Sequence, residues 1–418
     1  MISKFLYNLF LLLYSVGIRM ASLWNPKAKK WVAGRKDIFA TINSKLQSPN
    51  PKLIWMHCAS LGEFEQGRPV IESIKNQYPQ VKIVLSFFSP SGYEVQKNYA
   101  GADDVIYLPI DSKTNAKKIV SAINPSLVLW VKYEYWFYYL EELKQQNIPL
   151  LLVSGIFRNN QPFFKWYGTF WQKALACFTH LFLQDEASEN LLAGINSNKN
   201  VTVTGDTRFD RVIEIAEKFE LIPLMKEYCG ESKVIVAGST WEEDEAELIH
   251  YVKGNPQIKF IIAPHEIDAD NLKDVQKEFA GSIFYSELLT TQSLNSNVLI
   301  IDNVGMLSRL YHYADITYVG GGFGDDGVHN VLEAAVYGKP VIYGPEFEQF
   351  KEATELIDCR GGFSISTALE LEKVFTKLWG DEQLLKTTGE AAKNYVYSNS
   401  GATKKIMDYI QENRLLTN

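Results

Sequence analysis

Two glutamates follow apolar runs in places where a carboxylate could act on a substrate. Glu63 comes directly after the run LIWMHC and Ala59-Ser60-Leu61-Gly62, and Glu134 comes after LVLWV through Lys132-Tyr133. At the mouth of a strand, facing a cleft, such a side chain can take a proton from an incoming hydroxyl. In a first helical turn the same Glu63 would only complement the helix dipole. Two carboxylates reaching one cleft from separate strands point more strongly to acid–base chemistry than either alone. Glu65, two residues on, should point elsewhere.

The second set lies late in the chain. ITYVG is followed by Gly320, Gly321, Gly322, Gly324 and Gly327, then by VHNVLEAAVYG with helical spacing and the apolar run PVIYG. Strand, glycine turn, helix and strand can present backbone N–H groups and a helix N-terminus to an anionic ligand. The spacing therefore predicts a nucleotide-phosphate site with His329, Asn330 and Glu333 at the helix start. Gly322-Phe-Gly324-Asp-Asp-Gly327 also matches the dinucleotide fingerprint. Asp325 and Asp326 would put carboxylates where a pyrophosphate sits, which argues against NAD. A purely structural glycine turn is the remaining alternative. Ser239 and Thr240 end the run VIVAGST, where they can meet a phosphate or merely cap a helix with acidic first-turn residues. His265 ends KFIIAPH at the same rim. Arg208 and Arg211, in GDTRFDR, are available for anionic groups or for surface solvation.

The elements that position these residues alternate. Short apolar runs from Leu53 to about Gly205 (LIWMHC, KIVLSF, VIYLP, LVLWV, LLLVSG, HLFLQ, VTVTG) interleave with helical stretches, and the alternation repeats from Val234 to Phe363 (VIVAG, KFIIAP, SIFYS, VLIID, ITYVG, PVIYG, GGFSIS). Nearly all-apolar strands in a βα alternation imply parallel sheets covered on both faces. The expected architecture is α/β, with two Rossmann-like αβα domains facing across a cleft. Its parts would be an N-terminal segment 1–36, a first domain 37–210, a linker 211–232, a second domain 233–395 and a terminal helix 396–418 crossing back to the first domain. Phe5 to Ile18 is the most apolar stretch, short for a bilayer span of about twenty residues. Arg19, Lys27, Lys29, Lys30, Arg35 and Lys36 follow it. That order suits a membrane-surface anchor on the cytoplasmic side, with an ordinary buried helix as the alternative.

Composition narrows the function. The 418 residues carry 42 Lys and Arg against 49 Asp and Glu, a net charge of −7 that leaves no excess for general nucleic-acid binding. Four cysteines are scattered without CxxC spacing, as expected of reduced core residues. No HExxH, P-loop or GxSxG occurs, and the six histidines are isolated.

Five segments together resemble the Kdo (3-deoxy-D-manno-octulosonic acid) transferase family over nearly the whole chain. They are NPKAKKWVAGRKDIF, WMHCASLGEFEQGRP, KYEYW, TGDTRFD and GGGFGDDGVHNVLEAAVYGKPVIYGPEF. The resemblance implies a GT-B fold and an inverting transfer of Kdo from CMP-Kdo to a lipid A precursor at the cytoplasmic face of the inner membrane. Glu63 matches the family's general base and Glu134 its second cleft carboxylate. Ser239, His265, Gly321, Gly322, His329, Asn330 and Glu333 would meet CMP-Kdo, with the helix N-terminus near His329 facing the phosphate. Ser60, Gly62, Arg208 and Arg211 would line the acceptor side, and Lys27, Lys29, Lys30 and Arg35 would meet lipid phosphates. No metal or other cofactor is implied. The family's arginines around His265 are missing here, which leaves Arg158, Arg208 or Arg211 as the substitute cation. Alternatives are another GT-B transferase or sugar-nucleotide epimerase, or a non-catalytic membrane-docked protein that binds nucleotide or lipid.

Overall fold

A computed structural model describes residues 2–45, 52–195 and 200–416. The chain forms two units, Met1–Arg211 with Ser400–Asn418, and Val212–Asn399. In the first unit, strands β1 (Leu53–Cys58), β2 (Lys82–Phe87), β3 (Asp104–Tyr107), β4 (Leu127–Val131), β5 (Leu150–Gly155), β6 (His180–Leu183) and β7 (Val201–Val203) form one sheet in the order β3-β2-β1-β4-β5-β6-β7. In the second, β8 (Val234–Thr240), β9 (Lys259–Pro264), β10 (Ile283–Phe284), β11 (Val298–Ile300), β12 (Ile316–Val319), β13 (Val341–Tyr343) and β14 (Gly362–Ser364) take the order β10-β11-β9-β8-β12-β13-β14. Every pairing is parallel. The order reverses beside β1 in one unit and beside β8 in the other, and in open α/β sheets such a switch leaves a crevice at the strand C-terminal ends.

The apolar runs form strands because both faces of each sheet are covered: β1, β4 and β5 are buried along their whole length. The two-unit parallel α/β architecture is thus the one expected. The helix expected over 328–338 shrinks to a single turn, Leu332–Ala335. The Asn330 side chain accepts the Leu332 N–H at 3.3 Å, and the Val328 and His329 amides go to the Glu346 and Gly320 carbonyls, so the chain before Leu332 is held as a loop. The stretch 211–232, expected as a linker, holds the end of helix Thr207–Glu217 and the whole of helix Met225–Cys229. Helix Ala402–Glu412 contributes Ile406, Met407 and Ile410 to the first unit's core, and Asp210 accepts the Gly401 and Thr403 amides at its start.

Three helices precede the first sheet: α1 (Ile2–Ala21), α2 (Pro26–Ala33) and α3 (Ile38–Lys45). Tyr7 and Leu11 bury one stripe of α1, and the Tyr7 hydroxyl donates to Asp111 at 2.6 Å while accepting the Phe137 amide. The rest of α1 exposes Phe5, Leu6, Leu9, Phe10, Leu12, Leu13, Val16 and Met20, which an ordinary buried helix would cover. Among the described residues no single helix is long and apolar enough to cross a membrane; Ser3–Ala21 and Pro26–Ala33 pass that test only as a pair bent by 118°.

Helix α4 (Leu61–Gln77) carries Glu63 in its first turn, and Gly67 lets it lie close on β1. A Cβ at Gly67 would stand 2.7 Å from Met56 Sδ, 3.0 Å from Cys58 Sγ and 3.2 Å from Val131 Cγ2. Overpacking of about 1–3 kcal/mol therefore outweighs the roughly 1 kcal/mol that alanine contributes in a helix. Gly67→Ala should lower stability by about 1 kcal/mol, read as a reduced urea midpoint.

Candidate functional site

In the first unit both glutamates lie at the sheet's switch point. Ser60 holds extended backbone (φ −138°, ψ 176°) at the start of α4, and Glu63 follows one turn later, 7% exposed, accepting the Ala59 amide. Burial, with the Glu134 charge added to it, pushes the Glu63 carboxyl up to about 7, against the opposing pull of the Ala59 and Tyr133 amides and the Lys132 charge. Lys132, just past β4, adopts φ +59°, a left-handed turn that leads the chain into Glu134. Ser60 is half-buried and Gly62 exposed, with open space where a Cβ would project.

Glu134 is fixed from behind. Its Oε2 accepts from Trp136 Nε1 at 2.6 Å and meets His57 Nε2 at 3.2 Å. His57, fully buried on β1, places Nδ1 2.9 Å from Ser86 Oγ, which accepts from Trp55 Nε1 at 2.8 Å. Only one neutral assignment satisfies the line: Trp55 donates to Ser86, Ser86 to His57 Nδ1, and His57 Nε2–H to the carboxylate. His57 and Ser86 escaped the sequence reading, although a histidine inside an otherwise apolar buried strand was the available signal; Trp136 lay in the KYEYW segment without a role assigned to it.

Arg208 donates to Asp206 from Nε at 2.9 Å and pairs with it from Nη2 at 2.8 Å, while Arg211 Nη1 donates to Glu72 at 2.9 Å. Both guanidinium groups are therefore engaged by carboxylates of their own unit. Arg158 is exposed, and its charge acts on Tyr133 beside the glutamates. Lys27, Lys29 and Lys30 are exposed on α2. Arg35 differs from them: Nε, Nη1 and Nη2 donate to the Leu108, Trp31 and Phe88 carbonyls, and the guanidinium stacks 3.8 Å from the Trp31 ring centre. Three of its five N–H donors thus tie the N-terminal helices to the sheet, which sets it apart from the exposed lysines.

The second unit has its own switch point between β8 and β12. The Asp244 carboxylate, fully buried, accepts from the Tyr318 hydroxyl at 2.7 Å, the Gly321 amide at 2.8 Å and the Trp241 amide at 3.0 Å. This one side chain joins the glycine turn to the end of β8, where Ser239 is held at φ +55°. Gly321 (φ +91°) and Gly322 are buried, and the Gly322 carbonyl accepts the Glu346 amide at 2.8 Å. The amides of Gly320, Gly321, Gly324, Gly327, Val328 and His329 are all spent inside the protein. The expected cradle of N–H groups near His329 is therefore narrowed to the Gly322, Asn330 and Val331 amides, which make none of these bonds, and side chains stand beside it.

Those side chains are rings. Trp241 Nε1 donates to His329 Nε2 at 3.0 Å with the two rings 11° from parallel, and His265 stacks over both, 4.6 Å from Trp241 and 4.5 Å from His329. Burial, with His265 alongside, lowers His329 to about 4. Its neutral ring accepts at Nε2, so the proton resides on Nδ1 as a donor. Asn330 Nδ2 donates to Glu333 at 3.0 Å. Trp241 and Asp244 were hidden in the run WEEDE, where sequence reading saw only dipole-favouring acids. Among the described residues no group of three or more His, Cys, Asp or Glu is arranged to hold a metal ion.

Two parallel α/β units with polar residues at their switch points define a GT-B-like protein. At 18% identity and a TM-score of 0.61 the chain is similar in fold to UDP-GlcNAc 2-epimerase from Neisseria meningitidis, over 86% of this chain and 100% of that one. Residues 34–211 match the family described as 3-deoxy-D-manno-octulosonic-acid transferase (kdotransferase). The chain is 25% identical over 409 residues to a 3-deoxy-D-manno-octulosonic acid transferase of Haemophilus influenzae, covering 94% of each. It is 26% identical over 379 residues to a bifunctional glycosyltransferase/methyltransferase of Fusobacterium nucleatum, covering 87% of this chain but only 55% of that protein. The family-model match over residues 34–211 and the Kdo transferase relatives agree with the resemblance that the five motifs carried.

Two outcomes follow from this geometry. Removing the Glu134 charge in Glu134→Gln should move the Glu63 titration downward from about 7, read by carbon NMR of the labelled carboxyl; an unmoved titration would remove Glu134 as a cause. Asp244→Asn keeps the shape but turns a donor toward amides that need an acceptor, which costs about 1–3 kcal/mol locally. Hydrogen exchange at the Gly321 and Trp241 amides should then accelerate by at least tenfold.

Proposed function

We propose that this protein transfers Kdo from CMP-Kdo to a hydroxyl of a lipid A precursor, with inversion and without a metal, while docked on the cytoplasmic face of the inner membrane. The observation that carries the reading is Glu63: a buried carboxyl pushed up to about 7, beside a second carboxylate at a switch point. A general base works best with its pKa near the working pH. The acceptor oxygen attacks the anomeric carbon of the sugar and Glu63 takes the hydroxyl proton. The bond from that carbon to the phosphate oxygen breaks, and CMP departs as a phosphate monoester. Glu134, held by His57 and Trp136, keeps Glu63 basic through its negative charge.

The second unit would hold the donor. His329 Nδ1–H, the exposed His265 ring and the Ser239 hydroxyl are donors for the phosphate, and Glu333 with Asn330 suits ribose hydroxyls. Arg158 is the cation available for the Kdo carboxylate, since Arg208 and Arg211 are paired. The exposed apolar residues of α1 and the lysines of α2 suit a bilayer surface with anionic headgroups.

Glu63→Gln should lower transfer of radiolabelled Kdo to a tetraacylated lipid A precursor by at least a thousandfold, with CMP affinity unchanged. The wild-type rate should rise with pH through about 7, because the ionised carboxylate is the active form. Full activity of the Gln variant would remove Glu63 from the chemistry. No transfer by the folded wild type would remove the function.

A further inference from the structure

One cavity of the first unit is separate from both glutamates. It encloses about 670 Å³ and is walled by Arg19 of α1, Trp31 of α2, Lys36, and the apolar Ile38, Phe39 and Ile110. Its polar lining is rich in donors. The Trp31 ring is 6% exposed and its Nε1–H is buried without an acceptor. Arg19 and Lys36 are exposed at the wall, and Arg35 adds its charge while its own donors go to carbonyls. Three cations thus stand against one carboxylate, Asp37. The neighbours of Ser15 and Arg19 along α1, Val16 and Met20, are 46% and 57% exposed, so an apolar surface adjoins the cavity.

We propose that this cavity binds one anionic phospholipid, its phosphate meeting Arg19 and Lys36 and its glycerol and upper acyl carbons lying against Ile38, Phe39 and Ile110. The proposal deepens the membrane-docked reading by giving the contact a lipid preference. A phosphodiester with apolar tails matches the lining on both counts, whereas a free anion would leave the apolar wall in water. The site would hold α1 and α3 against the lipid surface through a single headgroup, independently of Kdo transfer.

The test is native mass spectrometry of the full chain released from detergent micelles containing phosphatidylglycerol or phosphatidylcholine. The expected result is one phosphatidylglycerol retained per chain, at least tenfold in preference to phosphatidylcholine. Arg19→Gln with Lys36→Gln should lower that retention on the order of tenfold, since each basic residue near an anionic lipid contributes measurably. Ala40→Phe, which fills the cavity from α3, should do the same with both cations intact. Equal retention of the two lipids, or unchanged retention in both variants, would overturn the proposal. Displacement by millimolar inorganic phosphate would reduce the cavity to a simple anion site, and displacement by the lipid acceptor with a raised KM in the double variant would reassign it to the substrate; either result overturns it. The readout needs no turnover, so failure of Kdo transfer with selective lipid retention would defeat the proposed function and leave this inference standing.

Discussion

The strand order reverses beside the first strand of each sheet, and both candidate sites follow from that constraint. Right-handed crossovers send the helices flanking β1 to opposite faces, and likewise those flanking β8. Strand ends at these points open on a crevice instead of running under a helix. Glu63 follows β1 and Glu134 follows β4, the two strands on either side of the first switch. Ser239 ends β8 and the glycine turn follows β12, the two strands on either side of the second. The sites sit where the sheets leave room for them.

Each crevice depends on one carboxylate held by donors, and the two are used differently. Asp244 is enclosed by Tyr318, Gly321 and Trp241, so its charge serves to join loop to strand. Glu134 is held by His57 and Trp136 on one oxygen and remains partly exposed, so its charge can act on Glu63. A low-dielectric surrounding makes both arrangements costly when a partner is lost. It also lets a second carboxylate raise Glu63 toward neutrality, a shift that water would screen away.

Much of the fold was legible. Fourteen apolar runs became fourteen strands, because a strand buried on both faces must be apolar throughout and that signal is local. Glu63 and Glu134 were legible as strand-end carboxylates for the same reason. The helix over 328–338 was misread because its spacing of apolar residues is helical, whereas the Asn330 side chain and the carbonyls of Gly320 and Glu346 claim the chain first. Arg35 was misread because a basic run looks uniform in sequence; one member has its fork among backbone carbonyls while its neighbours remain in solvent.

The sequence by itself determined the alternation of strands and helices, the two-unit plan and the resemblance to Kdo transferases, since these rest on periodicity and on motifs contiguous in the chain. Tertiary structure alone decided which polar groups meet. Trp241 reaches His329 across 88 positions, Glu134 reaches His57 across 77, and Arg35 reaches Phe88 across 53. No local pattern encodes such distances. Protonation and donor availability depend on burial and on the few ångströms between partners, and those are fixed only when the sheets bring remote segments together.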